Sequence, residues 1–173
     1  MSKFYITGVS GVGKSTVAKK LNGRGITSFD IDSMPGLCHW RHKMTGKEAD
    51  YRPGIGKDWI DAHEWLCDPA KLKELLDKHG DPVAVVGCAS NQDDYLGLFD
   101  KIFLLHCKEE TFLHRLKTRE GDDEFARDKS EQEQVLSWYK DFENKMLTRG
   151  AVPVNTEDPI DVVVDKIAAE IRA

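Results

Sequence analysis

Residues 8–16 read GVSGVGKST: a glycine, four residues, then Gly13-Lys14-Ser15. Before them lies the β-prone run KFYIT at 3–7. After them the chain turns helix-friendly, with Val17, Ala18 and Leu21 on one face. A strand that passes through a glycine-rich turn straight into a helix gathers backbone N–H groups and the positive end of the helix at one point. Lys14 adds a mobile positive charge and Ser15 a hydroxyl. This set suits a chain of phosphates. Gly8, Gly11, Val12, Gly13 and Thr16 are expected to wrap it, Lys14 to bridge its outer phosphates, and Ser15 to ligate a magnesium ion (Mg2+).

Outward from the loop, Gly23 and Gly25 end the first helix, and ITSFD at 26–30 reads as a second strand. Residues 33–57 hold Pro35, Gly36, Gly46, Pro53, Gly54 and Gly56 with little periodicity, which predicts a loose loop or short helices broken by turns. Trp59, Ala62 and Leu66 give 58–66 a helical spacing. The next helix is framed by Asp68 as cap, Pro69 in its first turn and Gly80 as stop. PVAVVG at 82–87 is a continuous apolar run, the pattern of a strand buried on both faces, and KIFLLHC at 101–107 is another. A helix through 108–120, a charged stretch at 120–130, a long helix at 130–147, a strand at 151–156 and a helix opening on Asp158-Pro159 complete the chain. Strands alternating with helices predict an α/β fold over residues 1–173. It would be one domain, with a parallel sheet, helices on both faces and right-handed crossovers.

The whole-chain numbers agree with this. The 173 residues suffice for a full core, and 40% hydrophobic with 32% charged residues is globular composition. A net charge of -5 counts against general nucleic-acid binding. No apolar run spans a bilayer, and MSKFYITG leads directly into the loop rather than forming a signal peptide. Cys38, Cys67, Cys88 and Cys107 form no CxxC pair and no zinc spacing, which reads as reduced thiols in a cytoplasmic protein.

The remaining residues narrow the kind of nucleotide protein. There is no Asn-Lys-x-Asp segment for guanine. The buried run VAVVG leads into Cys88-Ala89-Ser90-Asn91 without the acid that a large ATPase uses for magnesium. FDIDS instead places Asp30 and Asp32 two residues apart. In extended backbone both carboxylates point the same way, toward the sheet edge where ligands bind in such folds. One of them would hold magnesium through water and the other would accept a proton from a substrate hydroxyl; Asp30 is placed with the metal, and both Asp32 and Asp30 stay open as the base, while the competing reading is an Asp helix cap. Arg115, Arg119 and Arg127 surround the charged stretch. A flap at about 119–130 would bring Arg127 over the transferring group, while Arg119 would stack on adenine. Ion pairs on a solvated helix, such as Arg115 with a nearby Glu, are the alternative.

Residues at about 33–66 carry His39, Trp40, Arg41, His42, Arg52, Trp59, His63 and Trp65, and so three of the four tryptophans. Arg41 and Arg52 read either as contacts to an acceptor's carboxylate or phosphate or as exposed ion pairs. Trp59 and Trp65 read as core residues of a short helix or as platforms for a base or sugar. The histidines complete no metal set. After the buried run, Gly87 permits close approach to an acceptor and Asn91 and Gln92 offer amides to orient it, or the segment is a polar turn.

Taken together, GVSGVGKST, the FDID pair, the FLHRLKTRE helix and the final VNTEDPIDVVVDKI resemble the small P-loop metabolite and nucleotide kinases, among them the shikimate, gluconate, adenylate and nucleoside kinases. The resemblance implies a five-stranded parallel sheet of order 2-3-1-4-5, a lid and a separate acceptor region. It implies ATP and Mg2+ at Lys14 and Ser15, an Asp-x-Asp pair at Asp30 and Asp32, and Arg119 and Arg127 in the adenine and lid region. The turn at Gly87–Gln92 lacks the Gly-Gly-Gly of shikimate kinases, and His39 lies farther from the acidic pair than the histidine of gluconate kinases. The expected activity is phosphoryl transfer from ATP to a nucleoside, nucleotide, sugar acid or shikimate-like acceptor by a monomer or homodimer. A regulatory ATP-binding module is the main alternative, and a polynucleotide-end kinase a third.

Overall fold

The computed structural model describes residues 2–118, 125–126 and 128–173. Strand β1 (Lys3–Thr7) leads through the loop into α1 (Lys14–Gly23), followed by β2 (Thr27–Asp30). Then come β3 (Cys38–His42), β4 (Glu48–Ala49), α2 (Lys57–Ala62) and β5 (His63–Cys67). The second half runs α3 (Pro69–Lys78), β6 (Val83–Val86), β7 (Lys101–His106), α4 (Glu109–Thr118), α5 (Lys129–Thr148), β8 (Val152–Asn155) and α6 (Ile160–Arg172).

The main sheet has the order β2-β6-β1-β7-β8, which is 2-3-1-4-5 when its own strands are counted. Every neighbouring pair is parallel, so all five strands end at one edge. The apolar run of β6 follows from its place between β1 and β2, where all four of its residues are buried. Side chains alternate between faces. Phe4, Ile6, Val86 and Phe103 pack under α1, α4, α5 and α6, whereas Tyr5, Val83 and Val85 pack against α3.

Helix α3 shows how local signals and packing agree. The Asp68 carboxylate accepts from the N–H groups of Ala70 and Lys71, and Pro69 opens the helix. Leu72 and Leu76, one turn apart, are fully buried, each contributing about 1.5–3 kcal/mol. Helix α6 departs from the Asp-Pro reading: Pro159 takes the cap position with no side-chain cap, and Asp158 instead pairs with Lys166 at 2.7 Å.

Residues 33–67 depart more. They build a second, antiparallel sheet of order β4-β3-β5, not a loop with a helix through 58–66. Helix α2 stops at Ala62, and HEWLC turns extended to pair with CHWRH in the register Cys38↔Cys67, Trp40↔Trp65, His42↔His63. Non-local pairing has overridden the helical spacing of Trp59, Ala62 and Leu66. Asn91 secures the edge of this sheet: its amide oxygen accepts from the N–H of Cys67, and its amide nitrogen donates to the Cys67 carbonyl, each at 2.9 Å. Among the described residues no helix is long and apolar enough to cross a membrane.

Candidate functional site

The ends of β1, β2 and β6 are neighbours, so three segments meet at one sheet edge: the loop at 8–13, Asp30 with Asp32, and the turn after Val86. In the loop, Gly13 sits at φ 105° as the cap of α1, and among the described residues the start of that helix has no side-chain cap hydrogen bond. Its N–H groups are therefore left to an anion. A Cβ at Gly13 would meet nothing within 4 Å, whereas one at Gly11 would lie 2.7 Å from the Phe112 carbonyl. Gly11 thus lets α4 close against the loop, and Gly13 leaves room on the ligand side. The Lys14 ammonium folds back onto the carbonyls of Gly8 and Val9 at 2.8 and 3.1 Å.

A cleft of about 1600 Å³ opens in front of the loop. Lys14, Ser15, Asp30 and Asp32 all line it. Asp30 ends β2, and its carboxylate accepts from the Asp32 N–H at 3.1 Å, closing a single 3-10 turn at Ile31–Ser33. The carboxylates therefore share the cleft because of this turn, not because of extended backbone, and Asp30 does act as a cap. Asp32 accepts from the indole N–H of Trp65 at 2.8 Å. Ile31, fully buried between them, anchors the turn. Ser15 and the two carboxylates are hard oxygen donors beside a phosphate loop, the chemistry that suits Mg2+. Among the described residues no three His, Cys, Asp or Glu side chains form a metal cluster. Cys88 also lines the cleft; burial pushes its thiol up to about 11, against the opposing pull of Lys14.

A smaller cavity of about 230 Å³ adjoins the cleft and shares Gly13, Thr16 and Arg115 with it. Arg115 is pinned between the loop and the turn after β8: it donates to the Val12 carbonyl at 3.2 Å and to the Thr156 carbonyl at 2.8 Å. No Glu holds it. Its position had a signal in the sequence, because it lies one turn beyond Phe112 on the helix that packs on Gly11.

Other sequence candidates contact the protein itself or lie off the cleft lining. A Cβ at Gly87 would lie 2.3 Å from Ile31, so this glycine makes room for Ile31. The Asn91 amide is spent on Cys67, and Asn91 does not line the cleft, although Gln92 does. Arg41 is exposed and bonded to Glu64 at 2.8 Å, and Arg52 is exposed; neither lines the cleft. Arg119 and Arg127 lie outside the described residues, as does most of the expected flap. Conversely, Trp40, Tyr51, Trp65 and Phe125 line the cleft as an aromatic wall. Reading 33–57 as a loose loop or as short helices broken by turns concealed the strand pairing that places Trp40 on the cleft.

A family model described as an AAA domain matches residues 5–136. The chain belongs to this AAA domain family. A comparison with curated protein sequences finds no match. Among solved structures, deoxyadenosine kinase from M. mycoides with bound dATP is 15% identical, with 99% of this chain and 100% of that chain covered at a TM-score of 0.57. A gluconokinase from Sinorhizobium meliloti 1021 is 19% identical over 99% of this chain and 91% of its own, also at 0.57. Shikimate kinase from Aquifex aeolicus is 16% identical over 98% and 96%, at 0.56. This AAA domain protein therefore has the fold of the small P-loop kinases, with the strand order read above.

Proposed function

We propose that the chain is an ATP-dependent phosphotransferase that moves the γ-phosphoryl group of ATP to a hydroxyl of a small-molecule acceptor. One observation carries this reading: a phosphate loop with its lysine, a pair of carboxylates and an aromatic wall line the same cleft. The kinases that share the fold support it.

The triphosphate lies along the loop, and the nucleobase takes the smaller cavity beside Arg115. Lys14 exchanges the Gly8 and Val9 carbonyls for phosphate oxygens, so that its ammonium faces acceptors of opposite charge. Ser15 and Asp30 would hold Mg2+, which when bound draws charge from the phosphate oxygens. Asp32, held by Trp65, takes the proton of the acceptor hydroxyl. The hydroxyl oxygen bonds to the γ-phosphorus as the bond to the bridging oxygen breaks, and that electron pair leaves with ADP. The positive charge of Lys14 offsets the charge that develops.

A coupled ADP-release assay across nucleosides, nucleotides, sugars, sugar acids and shikimate tests this. Release is expected to depend on an acceptor and to fall about 100-fold or more in Lys14→Ala, with an unchanged circular dichroism spectrum. Full activity in Lys14→Ala, or release indifferent to every acceptor, would contradict it; the second outcome is that of a regulatory ATPase module.

A further inference from the structure

Strands β3 and β5 pair like with like. In the register Cys38↔Cys67, Trp40↔Trp65, His42↔His63, alternate positions of CHWRH meet the same residue type in HEWLC. Side chains at alternate positions of a strand share a face. The ring contacts agree: Trp40 and Trp65 have centroids 5.5 Å apart, and His42 and His63 4.9 Å apart. Trp40 and Trp65 line the cleft, so Cys38 and Cys67 continue the ladder that builds its aromatic wall.

Hydrogen bonds just beyond each end of the ladder fix its phase. The Asp68 N–H donates to the Leu37 carbonyl at 3.0 Å, and the Lys43 N–H donates to the Ala62 carbonyl at 2.9 Å. Bonded and non-bonded pairs alternate along an antiparallel ladder, so Cys38 and Cys67 form a non-hydrogen-bonded pair. The N–H and carbonyl of Cys67 accordingly turn away from β3, and Asn91 takes both at 2.9 Å. Such a pair sets its Cα atoms about 4.5 Å apart with side chains close together, inside the roughly 4.4–6.8 Å range that a disulfide spans. Cys38 packs against the buried cluster that contains Cys67. Contact with Cys67, then burial, then the charges of Asp32 and Asp30 push the Cys38 thiol up, so at neutral pH Cys38 rests as the thiol. Cys38 is partly exposed and Cys67 is buried, which makes Cys38 the sulfur that a reagent reaches first.

We propose that Cys38 and Cys67 are a modification site: they exchange with a low-molecular-weight disulfide and close a cross-strand disulfide that fastens β3 to β5 beside the aromatic wall. Cys38, once deprotonated, attacks one sulfur of the reagent, and a mixed disulfide forms as one reagent thiolate leaves. Cys67, deprotonated in turn, attacks the Cys38 sulfur. The Cys38–Cys67 bond forms, the mixed disulfide breaks and the second reagent thiolate leaves. The two cysteine protons end on the two reagent thiols, so the cysteines are oxidised and the reagent is reduced.

The experiment uses the full chain and glutathione disulfide. The folded protein is equilibrated in glutathione buffers that run from fully reduced to fully oxidised. Free thiols are then blocked, the chain is digested without reductant, and the peptides are identified by mass spectrometry. A peptide pair joined through Cys38 and Cys67 is expected, reversed by dithiothreitol, with neither Cys88 nor Cys107 joined to another cysteine. The oxidised protein is expected to melt about 5–10 °C above the reduced one, because the bond closes the segment 38–67 in the unfolded chain. The same treatment should leave the melting of Cys38→Ser unchanged and its Cys67 free of any protein disulfide. The joined peptide in the wild-type chain is decisive whether or not that variant folds. A glutathione adduct that persists on Cys38 beside a free Cys67, or both thiols still free in the fully oxidised buffer, would overturn the proposal. Links to Cys88 or Cys107, or a Cys38–Cys67 link that forms only after unfolding in urea, would overturn it as well. So would an oxidised protein that melts at or below the reduced one, since the ladder would then resist the bond.

Discussion

Trp65 donates its indole N–H to the Oδ1 of Asp32 at 2.8 Å, so the aromatic wall and the carboxylate at the end of β2 are joined by one hydrogen bond. The bond fixes where Asp32 points. Trp65→Phe keeps a ring and removes the donor. We expect kcat to fall about 10-fold with KM for the acceptor nearly unchanged, because orientation rather than binding is lost. Trp65→Leu, which also removes the ring, should raise KM as well. Equal loss of both parameters in Trp65→Phe would show that the bond does not position Asp32.

Gly87 acts on the same carboxylates from below. A Cβ there would lie 2.3 and 2.7 Å from the side chain of Ile31, the residue between Asp30 and Asp32. Gly87→Ala is expected to cost about 1–3 kcal/mol in urea denaturation and to lower turnover while ATP binding persists. In the Gly87→Ala/Ile31→Ala double variant the two losses should sum to less than the single variants together, since the clash is gone. Strict additivity would contradict the contact.

Much of this site could be read from the chain, for identifiable reasons. The path from Lys3 through Gly13 to Leu21 was legible because phosphate binding ties strand, turn and helix to one short spacing. The run at Val83–Val86 was legible because burial on both faces leaves no polar position. The second sheet was not, because Trp40 finds its partner Trp65 only after an intervening helix, and HEWLC satisfies helical spacing as well as strand alternation. Asn91 and Gly87 were correctly located at the end of a buried strand. What the sequence does not carry is whether an amide or a gap there meets a ligand or the protein's own Cys67 and Ile31.

Glu131 links two parts of the cleft wall. It is fully buried, accepts from the Tyr51 hydroxyl at 3.1 Å and from the Ala126 N–H at 2.9 Å, and belongs to α5. Glu131→Ala leaves both donors without this acceptor and is expected to cost about 2–4 kcal/mol by urea denaturation, with Glu131→Gln costing less. A change below about 0.5 kcal/mol in Glu131→Ala would show that the carboxylate is not a structural tie.

Glu143 makes stability pH-dependent. Its Oε1 is buried without a hydrogen-bond partner among the described residues, and burial raises its carboxyl above the usual range. The folded state then keeps its proton to higher pH than the unfolded chain does. Stability from this group falls as pH rises between the two values, and the loss persists above them. Glu143→Gln should raise Tm by about 1–3 °C at pH 8, with the gap closing at acidic pH where the wild-type carboxyl is protonated. A lower Tm for the variant at pH 8 would reverse the sign and contradict this.

Transfer of label decides most directly whether the cleft joins a phosphate donor to an acceptor. The protein is incubated with ATP radiolabelled at the γ-phosphate, with and without a mixture of nucleosides, nucleotides, sugars, sugar acids and shikimate, and the label is followed by chromatography. If Lys14 and Asp32 serve the two halves of one reaction, label appears in a phosphorylated acceptor, only when acceptors are present, and is lost in Lys14→Ala. Label found solely as inorganic phosphate, at the same rate with and without acceptors, would contradict phosphotransfer.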